Sequence, residues 1–254
     1  MKKLAIIAAA AAFLGLAQAP TVQAAEEVEI PSRDWSFDGL FGTFDRAKQQ
    51  RGLQVYREVC AACHGLRLVS FRNLADLGYN EEEIRTIAAD YQVEDGPDGD
   101  GEMFMRDGSA SDRFPPPFAN ENAARAANGG AYPPDLSLIT KARADGSNYL
   151  YHLLTGYQDP PADVEMMDGM YYNAYFPGHQ IAMAPPLMEG VVDYADGTPA
   201  TVSQMAEDVT YFLTWAAEPH MEARKIMGMK VILFLLIFTG LLYAVKRKIW
   251  ADLH

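Results

Sequence analysis

Two apolar runs bracket the chain, one over residues 4–16 and one over residues 226–245. The first covers 13 residues, too short for a bilayer core. It follows the basic start Met1-Lys2-Lys3 and precedes Val22-Gln23-Ala24, a small-x-small cleavage pattern. Residues 1–24 therefore read as a signal peptide, with Ala25 as the mature N-terminus. The second run covers 20 residues, about 30 Å as a helix, which matches the hydrocarbon thickness. Lys230 interrupts it one turn in and can snorkel to the interface. Lys246-Arg247-Lys248 follows at once, and a basic cluster belongs on the cytoplasmic side. The expected order is an exported domain over 25–225, a transmembrane anchor over 226–245 and a cytoplasmic tail over 246–254. The chain is then a single-pass inner-membrane protein with its main domain in the periplasm.

Between the runs the apolar positions follow a helical period. Leu53, Tyr56 and Val59 recur every three residues and predict a helix over 45–62. Ile84, Ile87 and Ala88 share a face in a second helical region over 74–89, which Gly78 can split. Residues 120–128 predict a short helix stopped by Gly129-Gly130, and 136–144 and 147–155 are further candidates. Residues 90–119 are glycine- and proline-rich and predict mostly loop. So does 158–200, which is long enough to wrap something. Thr201 and Gln204 form a capping-box pattern ahead of a last helix, with Val202, Met205, Val209, Phe212, Leu213 and Ala216 on one face. That helix is expected to run almost continuously into the membrane span, bent at Pro219. The fold class is mainly α, with long loops and few strands.

Charge narrows the function. The 254 residues carry a formal net charge of −13. Between Ala25 and Ala223 there are 33 acids against 13 Lys and Arg, a balance of 13 − 33 = −20. Such a field excludes nucleic acid and favours basic protein partners.

The chemistry centres on the two cysteines, which sit in Cys60-Ala61-Ala62-Cys63-His64. CxxCH is the pattern of c-type haem attachment, with two thiols on the two vinyl groups and the histidine on the iron. A thioredoxin dithiol wants a βαβ setting, and a zinc site wants a second ligand pair; the chain offers neither. The sixth iron ligand is open between histidine and methionine. Met183, in Ile181-Ala182-Met183-Ala184-Pro185-Pro186-Leu187, is best placed, because the prolines stiffen its loop. His179 is the rival in the same loop, whereas His152 fits a packing role.

These residues resemble the cytochrome c1 family, the haem-c subunits of the cytochrome bc1 complex, in its bacterial form. The resemblance runs from residues 56–64 through residues 123–128, 133–137, 154–157, 175–178, 183–186 and 197–200 to residues 215–219. It implies a class I-like cytochrome c haem domain with one covalent haem c and a C-terminal transmembrane helix. It implies Met183 opposite His64, Arg125 on a haem propionate, and Pro117 and Tyr132 near the haem. It further implies a subunit of ubiquinol–cytochrome c reductase within a respiratory or photosynthetic chain. In that setting the chain relays single electrons from the Rieske iron–sulfur protein to a soluble basic c-type cytochrome. The anchor then packs beside cytochrome b in a dimeric complex. Some bacterial relatives brace the haem loop with an extra cysteine pair, which is absent here. Rivals are a tethered carrier serving an oxidase, and a haem peroxidase with an open iron position.

Overall fold

A computed structural model describes residues 28–251. The expected signal peptide, Ala25 and His254 lie outside the described residues. Helix α1 spans Arg46–Glu58 and starts on Asp45, whose carboxylate accepts from the Lys48 amide. A 3-10 turn, Cys60–Ala62, follows directly. A second 3-10 segment, Phe71–Leu77, ends at Gly78, whose φ of 97° is the left-handed exit that glycine takes without strain. Asn80 then caps α2, Glu81–Ala89, in a complete capping box with Glu83. Gly78 thus splits the 74–89 region as its position predicted.

Three short helices follow: α3 over Glu121–Ala127, α4 over Ile139–Ala142 and α5 over Gly146–Thr155. The last two are α6, Val202–Ala217, and α7, Met221–Trp250. The Thr201 hydroxyl accepts from the Gln204 amide at 3.1 Å, as the capping pattern required.

The core forms where α6 crosses α1. Leu53, Val55 and Tyr56 of α1 join Met205, Val209, Phe212 and Trp215 of α6 in one buried cluster. Each such side chain contributes about 1.5–3 kcal/mol on full burial. Gly52 lets the two backbones meet: a Cβ there would lie 2.0 Å from the Asp208 carbonyl oxygen. Next to this crossing Arg51 grips the fully buried Asp208 at 2.9 and 3.1 Å, and reaches Asp196 at 2.8 Å. Burial raises the Asp208 carboxyl above its ordinary range, and the guanidinium opposes that shift.

Several expectations are corrected. Residues 90–119 contain an antiparallel hairpin, β1 Gln92–Asp95 against β2 Phe104–Asp107. Arg106 ties it down by pairing with Asp95 and Asp112. The 158–200 segment holds a second, minimal hairpin, β3 Tyr171–Tyr172 with β4 Gln180–Ile181. The helix expected over 136–144 shrinks to one turn. The 45–62 helix stops at Glu58, because the cysteine segment tightens to 3-10 geometry. The run from Thr201 is broken: α6 ends at Ala217 and α7 begins only at Met221. Pro219 lacks an amide proton and so cannot donate inside a continuous helix.

Helix α7 is 30 residues long, with a mean hydropathy of 2.2 over its most apolar window, none of it buried in the chain. It is a candidate membrane span, and it extends past the 226–245 run, so the start of the expected tail is helical.

Candidate functional site: the Cys60–His64 turn

The site is built on one tight turn. The amides of Cys63 and His64 both donate to the Cys60 carbonyl, at 3.1 and 2.9 Å. Both thiols and the imidazole therefore project from five residues at the C-terminal end of α1. The two cysteines are half-buried and not joined in a disulfide, and burial pushes the Cys60 thiol up to about 12. Among the described residues no group of three or more His, Cys, Asp or Glu could hold a bare ion.

The histidine is oriented by a segment that the sequence reading did not single out for this role. His64 Nδ1 lies 2.8 Å from the Pro134 carbonyl. A carbonyl only accepts, so Nδ1 carries the proton and Nε2 keeps its lone pair. Burial lowers the His64 pKa and favours that neutral form. The neighbours of Pro134 clamp the loop behind the histidine. Asp135 accepts from the Arg67 and Ser137 amides, the Ser137 hydroxyl accepts from the Leu68 amide, and the Leu136 amide donates to Gly65. From below, the buried Tyr56 donates its hydroxyl to the His64 carbonyl at 3.1 Å. The Asp135-x-Ser137 spacing after two prolines is an Asx-turn pattern, the signal that marks this clamp in the sequence.

The other predicted residues fall in separate places relative to this turn. Pro117 sits beside it: a Cβ on Gly65 would meet Pro117 Cδ at 3.9 Å. Arg125 is 5.5 Å from the Tyr132 ring centroid, so these two form a pair, and Tyr132 immediately precedes the Pro133-Pro134 step. Arg125 is ion-paired with Glu121 at 2.7 Å and donates to the Gly130 carbonyl. Its expected anionic partner is thus a carboxylate of its own helix here.

Met183 belongs to a second, smaller apolar cluster with Tyr149, Leu153, Ile181, Tyr157 and Phe176. The Tyr157 hydroxyl donates to the Met183 carbonyl at 3.0 Å and fixes that strand of the loop. His179 is held within its own hairpin: Nδ1 lies 3.2 Å from the Asn173 carbonyl and the ring stacks on Tyr172. His152 packs between Tyr151 and Tyr175. The donor set fits a haem: two thiols for attachment, one imidazole with a free Nε2, and a thioether in an apolar pocket.

The cytochrome C1 family model matches residues 35–253. The chain is 54% identical over 243 residues to the potato (Solanum tuberosum) "Cytochrome c1-2, heme protein, mitochondrial", covering 95% of this chain and 93% of that protein. It is 48% identical over 241 residues to the "Cytochrome c1" of Rhodospirillum rubrum, with 89% of each covered. It is 50% identical over 273 residues to the "Cytochrome b/c1" of Bradyrhizobium diazoefficiens. That match takes in 99% of this chain but only 40% of the longer protein. With a family model matched over residues 35–253 and relatives of this identity, the chain belongs to the cytochrome c1 family of haem-bearing electron-transport subunits of the bc1 complex.

Proposed function

We propose that the chain holds one haem c through thioethers to Cys60 and Cys63, with His64 Nε2 and the Met183 sulfur on opposite sides of the iron. The observation that carries this reading is the His64 Nδ1 contact with Pro134, which leaves Nε2 with the lone pair that an iron would take. When bound, the haem supplies a one-electron Fe(III)/Fe(II) couple. The protein's own groups keep that couple closed to substrate. Pro134 fixes the imidazole, Tyr157 fixes the Met183 strand, and Tyr56 and the Asp135 clamp hold the turn rigid. Arg125, paired with Glu121 in the structure, takes a propionate when haem is bound, with Tyr132 beside it and Pro117 against the CxxCH turn.

In this reading the domain over 25–225 faces the periplasm, residues 226–245 anchor it, and 246–254 lie in the cytoplasm. The electron donor is the Rieske protein, the anchor's neighbour is cytochrome b, and the complex is dimeric. The acceptor is a soluble c-type cytochrome of basic surface. Of the 12 acids over 144–223, Asp196, Glu207, Asp208, Glu218 and Glu222 are engaged in internal ion pairs. Asp159, Asp163, Glu165 and Asp168 remain exposed on the loop that leads to Met183. This patch is the part of the acidic surface suited to steering a cation toward the haem side.

Electron transfer to a basic soluble cytochrome is expected to slow by roughly tenfold or more as ionic strength rises from about 0.01 to 0.15 M, where the screening length falls from about 30 to 8 Å. Stopped-flow kinetics measures this. A rate indifferent to salt overturns electrostatic steering.

A further inference from the structure

The loop ahead of α1 carries two large apolar side chains that the domain leaves uncovered. Leu40 is 54% exposed and Phe41 78%. On either side of them the chain is firmly packed: Trp35 and Phe37 lie against Tyr211, and Phe44 lies against Phe37. The loop is a closed turn. The Thr43 amide donates to Ser36 O at 2.9 Å, the Ser36 hydroxyl donates to Thr43 O at 2.8 Å, and the Asp38 amide donates to Trp35 O. Gly39, with φ of 67°, makes the reversal.

Helix α7 sets the direction of this turn. The Phe44 amide donates to Glu222 Oε1 at 2.7 Å. Lys225 Nζ donates to Phe37 O at 2.5 Å and to Gly42 O at 3.2 Å. Both arms of the turn are therefore tied to Glu222 and Lys225, in the segment of α7 just ahead of the apolar run. The tip over 39–41 hangs between these ties and is exposed. Gly228 and Met229, the next turn of α7, are half-buried, whereas every residue from Lys230 to Ala251 is exposed. Val231, where the uncharged stretch begins, is six residues or about 9 Å below Lys225. Two extended residues beyond Gly42 reach about 7 Å, and a phenylalanine side chain covers the rest.

We propose that Leu40 and Phe41 form a second membrane contact, a loop tip inserted at the boundary of lipid headgroups and acyl chains beside the root of the anchor. This rests on the reading of 226–245 as a membrane span. Lipid fits the patch better than a protein partner does. Two side chains on a convex tip fall far short of the roughly 800 Å² per partner of a standard protein interface. A pair of bulky apolar residues near the exposed Lys230 of the anchor matches the interfacial pattern, apolar groups inward and cations at the anionic headgroups. Asp38 stays at the domain end of the turn, where its amide is tied to Trp35. With two points of attachment, the helix and the tip, the haem domain keeps a fixed tilt on the membrane.

Nitroxide accessibility tests this in the haem-loaded full chain, reduced to diamagnetic Fe(II) and reconstituted in vesicles of phosphatidylcholine and phosphatidylglycerol. Both native cysteines are consumed by haem, so a single introduced cysteine takes the label. A label at Phe41→Cys is expected to collide more with oxygen than with a water-soluble nickel chelate, whereas one at Ser109→Cys shows the reverse. A label at Leu242→Cys reports the anchor independently. Lipid exposure at 242 with water exposure at 41 overturns the inserted tip alone, and water exposure at both overturns the anchor reading as well. A label at 41 shielded from both reagents is covered by protein, which also overturns the proposal.

Discussion

Met183→Leu is expected to lower the haem midpoint potential by on the order of hundreds of millivolts. A thioether is a soft, neutral ligand that favours Fe(II) over Fe(III), and leucine offers no lone pair to replace it. The substitution separates ligation from folding. Met183 sits among Tyr149, Leu153, Ile181 and Tyr157, and a Met-to-Leu exchange in such a pocket costs less than about 1.5 kcal/mol. The Tyr157 bond to the Met183 carbonyl is made by the backbone and survives. The reduced variant should also bind carbon monoxide, which the parent with both axial positions filled excludes. Redox titration in membranes and a carbon monoxide difference spectrum are the two readouts. A midpoint unmoved by the substitution removes Met183 from the iron and brings His179 forward.

Gly52→Ala is the second large effect, and it acts on stability. The added Cβ would lie 2.0 Å from the Asp208 carbonyl oxygen, 2.6 Å from its carbon and 2.7 Å from the Phe212 Cβ. Two of these are backbone atoms of the facing helix, so α1 and α6 must move apart. Overpacking of this kind costs about 1–3 kcal/mol. Separation also loosens the Arg51 grip on Asp208, leaving a buried carboxylate imperfectly paired. The turn bearing Cys60 and Cys63 follows α1 after Glu58, so the strain is transmitted to the haem site. Denaturant midpoints of the haem-loaded chain should fall clearly for Gly52→Ala. They should stay unchanged for Gly99→Ala, where nothing lies within 4 Å. Equal midpoints would mean that the helix crossing is not as close as described.

Much of this architecture is legible in the sequence, for identifiable reasons. The α1 and α6 stripes are amphipathic and end on strong caps at Asp45 and Thr201, so period and punctuation agree. CxxCH is a short motif whose chemistry needs contiguity, and contiguity survives folding. The two hairpins were not legible. Gln92–Asp95 and Phe104–Asp107 are polar and mostly exposed, and what closes them is Arg106 bridging Asp95 and Asp112, a pairing that periodicity does not encode. The break between α6 and α7 was read as a bend, because Pro219 alone does not distinguish a kink from a stop. Two carboxylates and a lysine stabilise the stop: Glu218 takes Lys141 and Arg224, Glu222 takes Arg46, and Lys225 donates to the Phe37 carbonyl. The part Pro134 plays was hidden for the same reason, since a backbone carbonyl leaves no mark on side-chain pattern.

Covalent attachment of a single haem at Cys60 and Cys63 is what every other property proposed for this site depends on. Mass spectrometry of the acid-denatured chain tests it most directly. The predicted result is one haem retained per chain after denaturation, with no free thiol, and none retained in the Cys60→Ala, Cys63→Ala double variant. Haem that extracts into acidified acetone and leaves two titratable thiols would contradict it.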